Sequence, residues 1–198
     1  MKTKFVLIIV SCLVIFINCT KEDEPRDYYF RQSTFVEDPS NPGLPKYTEL
    51  GYNTFGAYYD REVFVSNNED VPMKVIVTND TTTFIFQGEK SSNKMTLRIG
   101  IPNSFSDTYD DLLILNDIII DLTTCKISIT INDSTTIPQI INGTLEIKKA
   151  QKLYIDDSSI EVVLAGLFEF QLLINDDPIA ISNGRFDIGV GYSNFFAY

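Results

Sequence analysis

The sequence predicts an all-β fold: an antiparallel β-sandwich or barrel-like single domain with at most one short helix. Three observations carry this. Apolar and polar residues alternate with period two through most of the chain after residue 54. Asn, Asp and Ser pairs cut the alternation into short runs. No sustained helical period competes, and the 44% apolar content suits a packed core.

The first element is read as an address rather than as structure. Lys2 and Lys4 open the chain, and the apolar run Phe5 to Ile17, 13 residues long, is too short to span a bilayer. It ends at Phe16-Ile17-Asn18-Cys19. This resembles a bacterial lipoprotein signal, in which the cysteine is lipidated and becomes the mature N-terminus. The strict pattern prefers Leu at the first position and Gly or Ala before Cys; the looser box is usual in lipoproteins of the phylum Bacteroidota. An ordinary secretory signal with an incidental Cys, or an N-terminal anchor helix, is the alternative. Several acyl chains on Cys19 would hold the protein on a membrane, since one chain alone is marginal. The following Lys21-Glu22-Asp23-Glu24 is similar to the sorting motif that sends such lipoproteins to the cell surface, although a plain solvated tether would read the same way.

The expected division is therefore a signal peptide over 1–18, a lipidated, acidic and irregular tether over 19–43, and a β-domain over 44–198. Removing 1–18 takes two lysines with it and moves the net charge from −11 to −13. It also removes Cys12, and lipid would occupy Cys19, so Cys125 is left with no intrachain disulfide partner. Pro25, Pro39, Pro42 and Pro45 keep the stretch 20–53 out of helices and central strands, with Tyr28-Tyr29-Phe30 able to dock.

Within the domain, strands are expected near 54–59, 62–66, 73–78, 82–87, 143–149, 152–156 and 178–183. Clear one-face alternation marks five more. Met95, Leu97, Ile99 and Ile101 share a face, as do Cys125, Ile127, Ile129 and Ile131. Ile160, Val162 and Leu164, then Phe168, Phe170, Leu172 and Ile174, then Phe186, Ile188, Val190 and Tyr192 do the same. Ser106 to Leu115 is the helix candidate, with Ser106 as N-cap, but its aliphatic end could equally be a strand. The terminal Phe195-Phe196-Ala197-Tyr198 is expected to pair into the sheet.

The composition excludes several chemistries. There is no His, so no Ser-His-Asp or Cys-His pair and no imidazole ligand. With 27 acidic against 16 basic residues, a nucleic-acid partner is not expected. Glu146 and Glu169 occupy matching places in Asn142-Gly-Thr-Leu-Glu-Ile147 and Ala165-Gly-Leu-Phe-Glu-Phe170. Paired, they would suggest glycosidase carboxylates; alternation reads them as solvated charges instead. Asp107, Asp110 and Asp111, Asp156-Asp157 and Asp176-Asp177 lack the spacing of a calcium loop, and turn chemistry explains them. No metal and no cofactor are expected. Ser91-Ser-Asn-Lys94 matches a Ser-x-x-Lys pattern only in a polar turn, and Cys125 reads as an inert thiol on a strand face. Asp80-Thr81-Thr82 and Asp133-Ser134-Thr135 resemble short Bacteroidota O-glycosylation acceptors, at Thr81 and Ser134.

Two further stretches carry a resemblance. Leu44-Pro45, Thr48, Gly51 and Asn53-Thr54-Phe55-Gly56 open the domain, and Ile181-Ser-Asn-Gly184-Arg185-Phe186-Asp187-Ile188 nearly closes it. With Gly166-Leu-Phe168-Glu169-Phe170 they resemble a family of small uncharacterised Bacteroidota lipoproteins. The resemblance implies no activity. It implies that Gly184 permits a tight approach, that Phe186 enters the core and that Arg185 and Asp187 face outward. Asp60-Arg61 stands where the family tends to have Asn-Gly, which leaves the hairpin type open.

The expected function is a lipid-anchored outer-membrane module, surface-exposed, that binds an unidentified protein or glycan and is not an enzyme. A periplasm-facing structural or assembly lipoprotein is the second reading, and a hydrolase the third.

Overall fold

The computed structural model describes residues 33–66, 72–102, 108–155 and 158–198, side chains from 155 to 160 excepted. Its twelve strands are β1 (Thr54–Tyr59), β2 (Glu62–Val65), β3 (Met73–Thr78), β4 (Thr81–Lys90), β5 (Asn93–Pro102), β6 (Ile118–Asp121), β7 (Lys126–Ile131), β8 (Ser134–Thr136), β9 (Gln139–Ile155), β10 (Ser158–Ile174), β11 (Asp177–Val190) and β12 (Phe195–Ala197). They form one curled, half-barrel sheet in the order β6-β9-β10-β11-β1-β2-β4-β5-β7-β8. The fold is all-β, and every pairing is antiparallel except that of β12 with β3.

Tight turns set this topology. Asp60-Arg61, Ser91-Ser92, Asn132-Asp133 and Asn175-Asp176 each have two consecutive residues at positive φ. That is the backbone of a type I′ hairpin, whose twist matches the flanking strands. Asp60-Arg61 thus makes the tight hairpin between β1 and β2 without a glycine.

The sheet branches at β4. The second half of β4 pairs β2, through Glu89 and Lys90, while its first half pairs β3 along Met73–Thr78. β12 then adds to β3, as expected for the chain terminus. Asn194, 1% exposed, ties the seam: its amide donates to the carbonyls of Met73 (3.2 Å) and Gly189 (3.0 Å) and its Oδ1 accepts from Gly191 N (2.8 Å). A buried polar side chain is tolerated there because each of these groups is satisfied.

The core is aromatic. Phe86 of β4 stacks on Phe168 of β10 (5.5 Å) and meets Phe186 of β11 (5.4 Å) and Phe55 of β1 (5.5 Å). Ring pairs at these offsets add to the area each ring buries. Phe186 enters the core, as the resemblance implies.

Several expectations are corrected. The strands expected separately at 143–149 and 152–156 are one strand, β9, and the same merging produces β10 and β11. Register shifts let these long strands bend round the barrel, at Ala165/Gly166 and Gln171/Leu172 among other places, instead of stopping. The helix candidate is a 3₁₀ segment, Tyr109–Leu115, and Thr108 precedes it; Ser106 lies outside the described residues. The aliphatic stretch after it is β6. Cys125 is not on a strand: it follows the 3₁₀ turn Leu122–Thr124, half-buried, with its Sγ donating to Asp121 O at 3.6 Å.

The described part of the tether, with the start of the domain, forms a strap over residues 33–53. Its backbone is irregular, as its prolines require, apart from one bridge between Glu37 and Pro45. The stretch 36–46 closes on itself through Lys46 N to Val36 O (2.6 Å) and Asp38 N to Leu44 O (2.9 Å). Leu44 is fully buried, and Pro45 lies where a Cβ on Gly56 would be.

Candidate functional site

Cross-strand rungs build the outer face of the sheet. In an antiparallel ladder, directly opposed residues point to the same side. Ile119 faces Glu146, Glu146 faces Leu167, Leu167 faces Arg185, and Arg185 faces Gly56. One rung away, Asp121 faces Thr144 and Thr144 faces Glu169. In the other direction Ala165 faces Asp187, and Asp187 faces Thr54.

The strap covers one part of this face. Asp187, 1% exposed, receives Gly51 N at 2.7 Å on Oδ1, and Leu50 N (3.1 Å), Tyr52 N (3.2 Å) and the Thr48 hydroxyl on Oδ2. Gly51 is in the left-handed region (φ 74°), which turns three consecutive amides toward one anion. Asn53 accepts from Gly189 N at 2.9 Å, the next residue of that row. Arg185, 7% exposed, donates from Nη1 to Asp38 at 2.6 Å and from Nε to Asn183 O at 3.1 Å. The Asp38 carboxyl is held below its ordinary range, first by the Asn41 amide, then by Ser40 N and Arg185. Arg185 and Asp187 thus point outward from the barrel, as the resemblance implies, but the strap buries them.

Several of the residues that carry the resemblance meet here. Thr48 and Gly51 bind Asp187, Thr54 and Phe55 pair Asp187 and Phe186, and Gly184 packs so closely on Phe168 that a Cβ would strike its backbone and ring.

The strap ends beside an open groove of about 260 Å³, lined by Thr144, Glu146, Leu167, Glu169, Asn183 and Arg185 among others. Glu146 and Glu169 sit on adjacent strands, diagonal to one another, on this same face. Glu146 is half-buried and ion-paired to Lys148; Glu169 is exposed. Tyr47 of the strap lies within electrostatic reach of Glu146, and burial, the hydrogen bond it donates to Glu49 and the nearby carboxylates push its phenol up. Chemically the groove offers hydrogen-bond acceptors, an amide and an aliphatic floor.

The remaining candidates are scattered. Asp110 pairs with Lys152 at 2.7 Å, Asp111 accepts from Thr108 Oγ1 at 2.7 Å, and Asp176 lies in a hairpin turn. Among the described residues no three potential ligands cluster as a metal would need. Ser91 and Ser92 form a hairpin turn, and Lys94 is exposed. Burial raises the Cys125 thiol. The Thr81 hydroxyl donates to Asp80 at 3.1 Å on a buried residue, whereas Ser134 is exposed. Cys19, Lys21, Glu22, Asp23 and Glu24 lie outside the described residues, as do Asp107, Asp156 and Asp157.

Sequence reasoning missed the two strap fastenings, Asp38–Arg185 and Asp187 with its amides. The one available signal was the Thr48-x-x-Gly51 spacing, which marks a turn but not its anion. Compared with family models, curated proteins and solved structures, the chain matches none.

Proposed function

We propose that this chain is a lipid-anchored binding module of the outer membrane, displayed at the cell surface and working by contact rather than by catalysis. The observation that carries the reading is the 13-residue apolar run ending at Cys19, followed at once by Lys21-Glu22-Asp23-Glu24. No described helix is long and apolar enough to cross a membrane. The strap is consistent with anchoring. A chain held by its N-terminus passes load into its fold, and here the approach to β1 is fastened at two charged points before the first strand begins.

Mass spectrometry of the native protein tests the anchor: acylated Cys19 as the first residue is expected, and an unmodified or retained N-terminus overturns it. Protease shaving of intact cells tests the display. Loss of the domain is the expected result, and full protection favours the periplasm-facing structural or assembly role instead. A hydrolase ranks third, resting on Glu146 and Glu169 alone.

A further inference from the structure

The path of the sheet ends on two edge strands of opposite character. β8 is Ser-Thr-Thr, with the Thr135 hydroxyl 2.9 Å from that of Thr130, and its apolar exposure lies just past its end, at Ile137, 82% exposed. β6 is Ile-Ile-Ile-Asp, paired with β9 on one side and with no other strand among the described residues. Ile119 is 67% exposed and Ile118 39%, and Ile114, in the 3₁₀ segment leading to the strand, is 65% exposed. An uncovered apolar edge is a ready template for another strand, and native proteins ordinarily blunt such edges. β6 is blunted only at its ends, by Asp117 and Asp121.

Those two aspartates select the partner. A second copy adding to β6 across a two-fold axis keeps outer residues opposite outer residues. Centred on Ile119, that arrangement brings Asp121 to the turn of the other copy that holds Asp117 (φ 61°), twice, so that acids gather at both ends of the pairing. Centred on Ile120, it sets Ile119 against Asp121. Like charges gathered there repel, and opposite charges are favourable. The net charge of −11 adds general repulsion between copies. Asp121 is held in its charged form by Thr123, whose hydroxyl and amide donate to it at 2.7 and 2.9 Å.

We infer that β6 is a docking edge for an extended segment of another protein, apolar opposite Ile118–Ile120 and carrying Lys or Arg at its two ends, opposite Asp121 and beside the turn that holds Asp117. Main-chain bonds supply the attachment, and the flanking charges and Ile119 supply selectivity. This names a partner class for the binding module proposed above and rests on that reading's premise of function by contact. The two tests fail separately, since neither acylation nor surface display bears on what β6 binds.

The experiment titrates the full chain in detergent with two synthetic peptides, Lys-Val-Ile-Val-Lys and Glu-Val-Ile-Val-Glu, capped at both ends. It follows amide exchange and affinity. Expected are slowed exchange at 118–121 but not at 134–136, and roughly fivefold tighter binding of the lysine peptide, from the reversed charge at the two ends of the pairing. Asp117→Lys, an exposed turn position, is expected to narrow that preference without altering the fold. Equal binding of both peptides, no binding of either at millimolar concentration, or protection confined to another strand overturns the proposal. So does self-association of the chain that Ile119→Lys abolishes, because a second copy would then occupy the edge.

Discussion

Asp187 and Glu169 occupy outward positions on neighbouring strands of one sheet, yet the first is 1% exposed and accepts four hydrogen bonds while the second stands in solvent. The difference lies in what passes overhead. Residues 162–166 of β10 and 184–190 of β11 are buried on both faces, and polar-out alternation resumes in β10 at Leu167, where the strap gives way to the groove. A carboxylate under a strap becomes a fastening, because three amides and a hydroxyl replace its water. The same group one rung beyond the strap remains a solvated charge, available to a ligand. Position on a strand face thus decides little until the covering segment is known.

The sharpest way to break this comparison is Asp187→Ala. It strips the anion from four donors, three of them backbone amides of the strap, and is expected to cost about 3–4 kcal/mol, read from the denaturant midpoint. Equal stability of variant and parent would show that the strap does not depend on its nest. Arg185→Ala comes next, at about 1–2 kcal/mol, since it removes one ion pair with Asp38 and leaves that partner near water. Faster amide exchange confined to the strap, 36–46, is its expected signature.

Acid provides a reversible version of the same test. The folded Asp38 carboxyl lies below its ordinary value of about 3.9, so the stability it contributes is complete above that pH and is lost as pH falls through its lower folded value. Protection within 36–46, relative to the intrinsic exchange rate at each pH, is expected to fall below about pH 4, and Arg185→Ala to reduce that response in part. At the other extreme, Glu169→Gln in the open groove is expected to change stability by no more than about 0.5 kcal/mol. A larger loss would place Glu169 among the structural groups. The smallest effect concerns the hydroxyls. Peptide mapping of the native protein is expected to find Thr81 unmodified, with any glycan confined to exposed Ser134; a glycan on Thr81 would contradict the burial of its residue.

Legibility in the sequence followed from how local each cause was. β5 and β7 were plain because each has one wet face, so apolar residues recur every second position. β9 and β11 were visible only in pieces, because an extra residue in each, opposite Ala165/Gly166 and Gln171/Leu172 in β9 and opposite Phe168/Phe170 in β11, shifts the phase of the alternation without ending the strand, while β10 keeps its phase but is interrupted by 162–166, buried on both faces. The Tyr109–Leu115 segment was ambiguous for a related reason: seven residues make too little helical period to outweigh the aliphatic strand that follows. In the groove, the shared face of Glu146 and Glu169 could be read from alternation, while their company, Arg185 and Asn183, depended on which strands became neighbours.

The sequence by itself determined the class of fold, the turns and the core rings, because period-two patterning and paired Asn, Asp and Ser residues act over a few positions. It also carried the apolar run, Cys19 and the acids after it, on which the proposed anchoring rests. Only the tertiary structure decided which outward residues are buried. Asp187 meets Gly51 across 136 positions and Arg185 meets Asp38 across 147. An alternating strand looks the same whether its polar side meets water or another part of the chain, since both satisfy a charge with hydrogen bonds. The strap over β1 and β11, and the place of β6 at the edge of the sheet among the described residues, were therefore settled by packing alone.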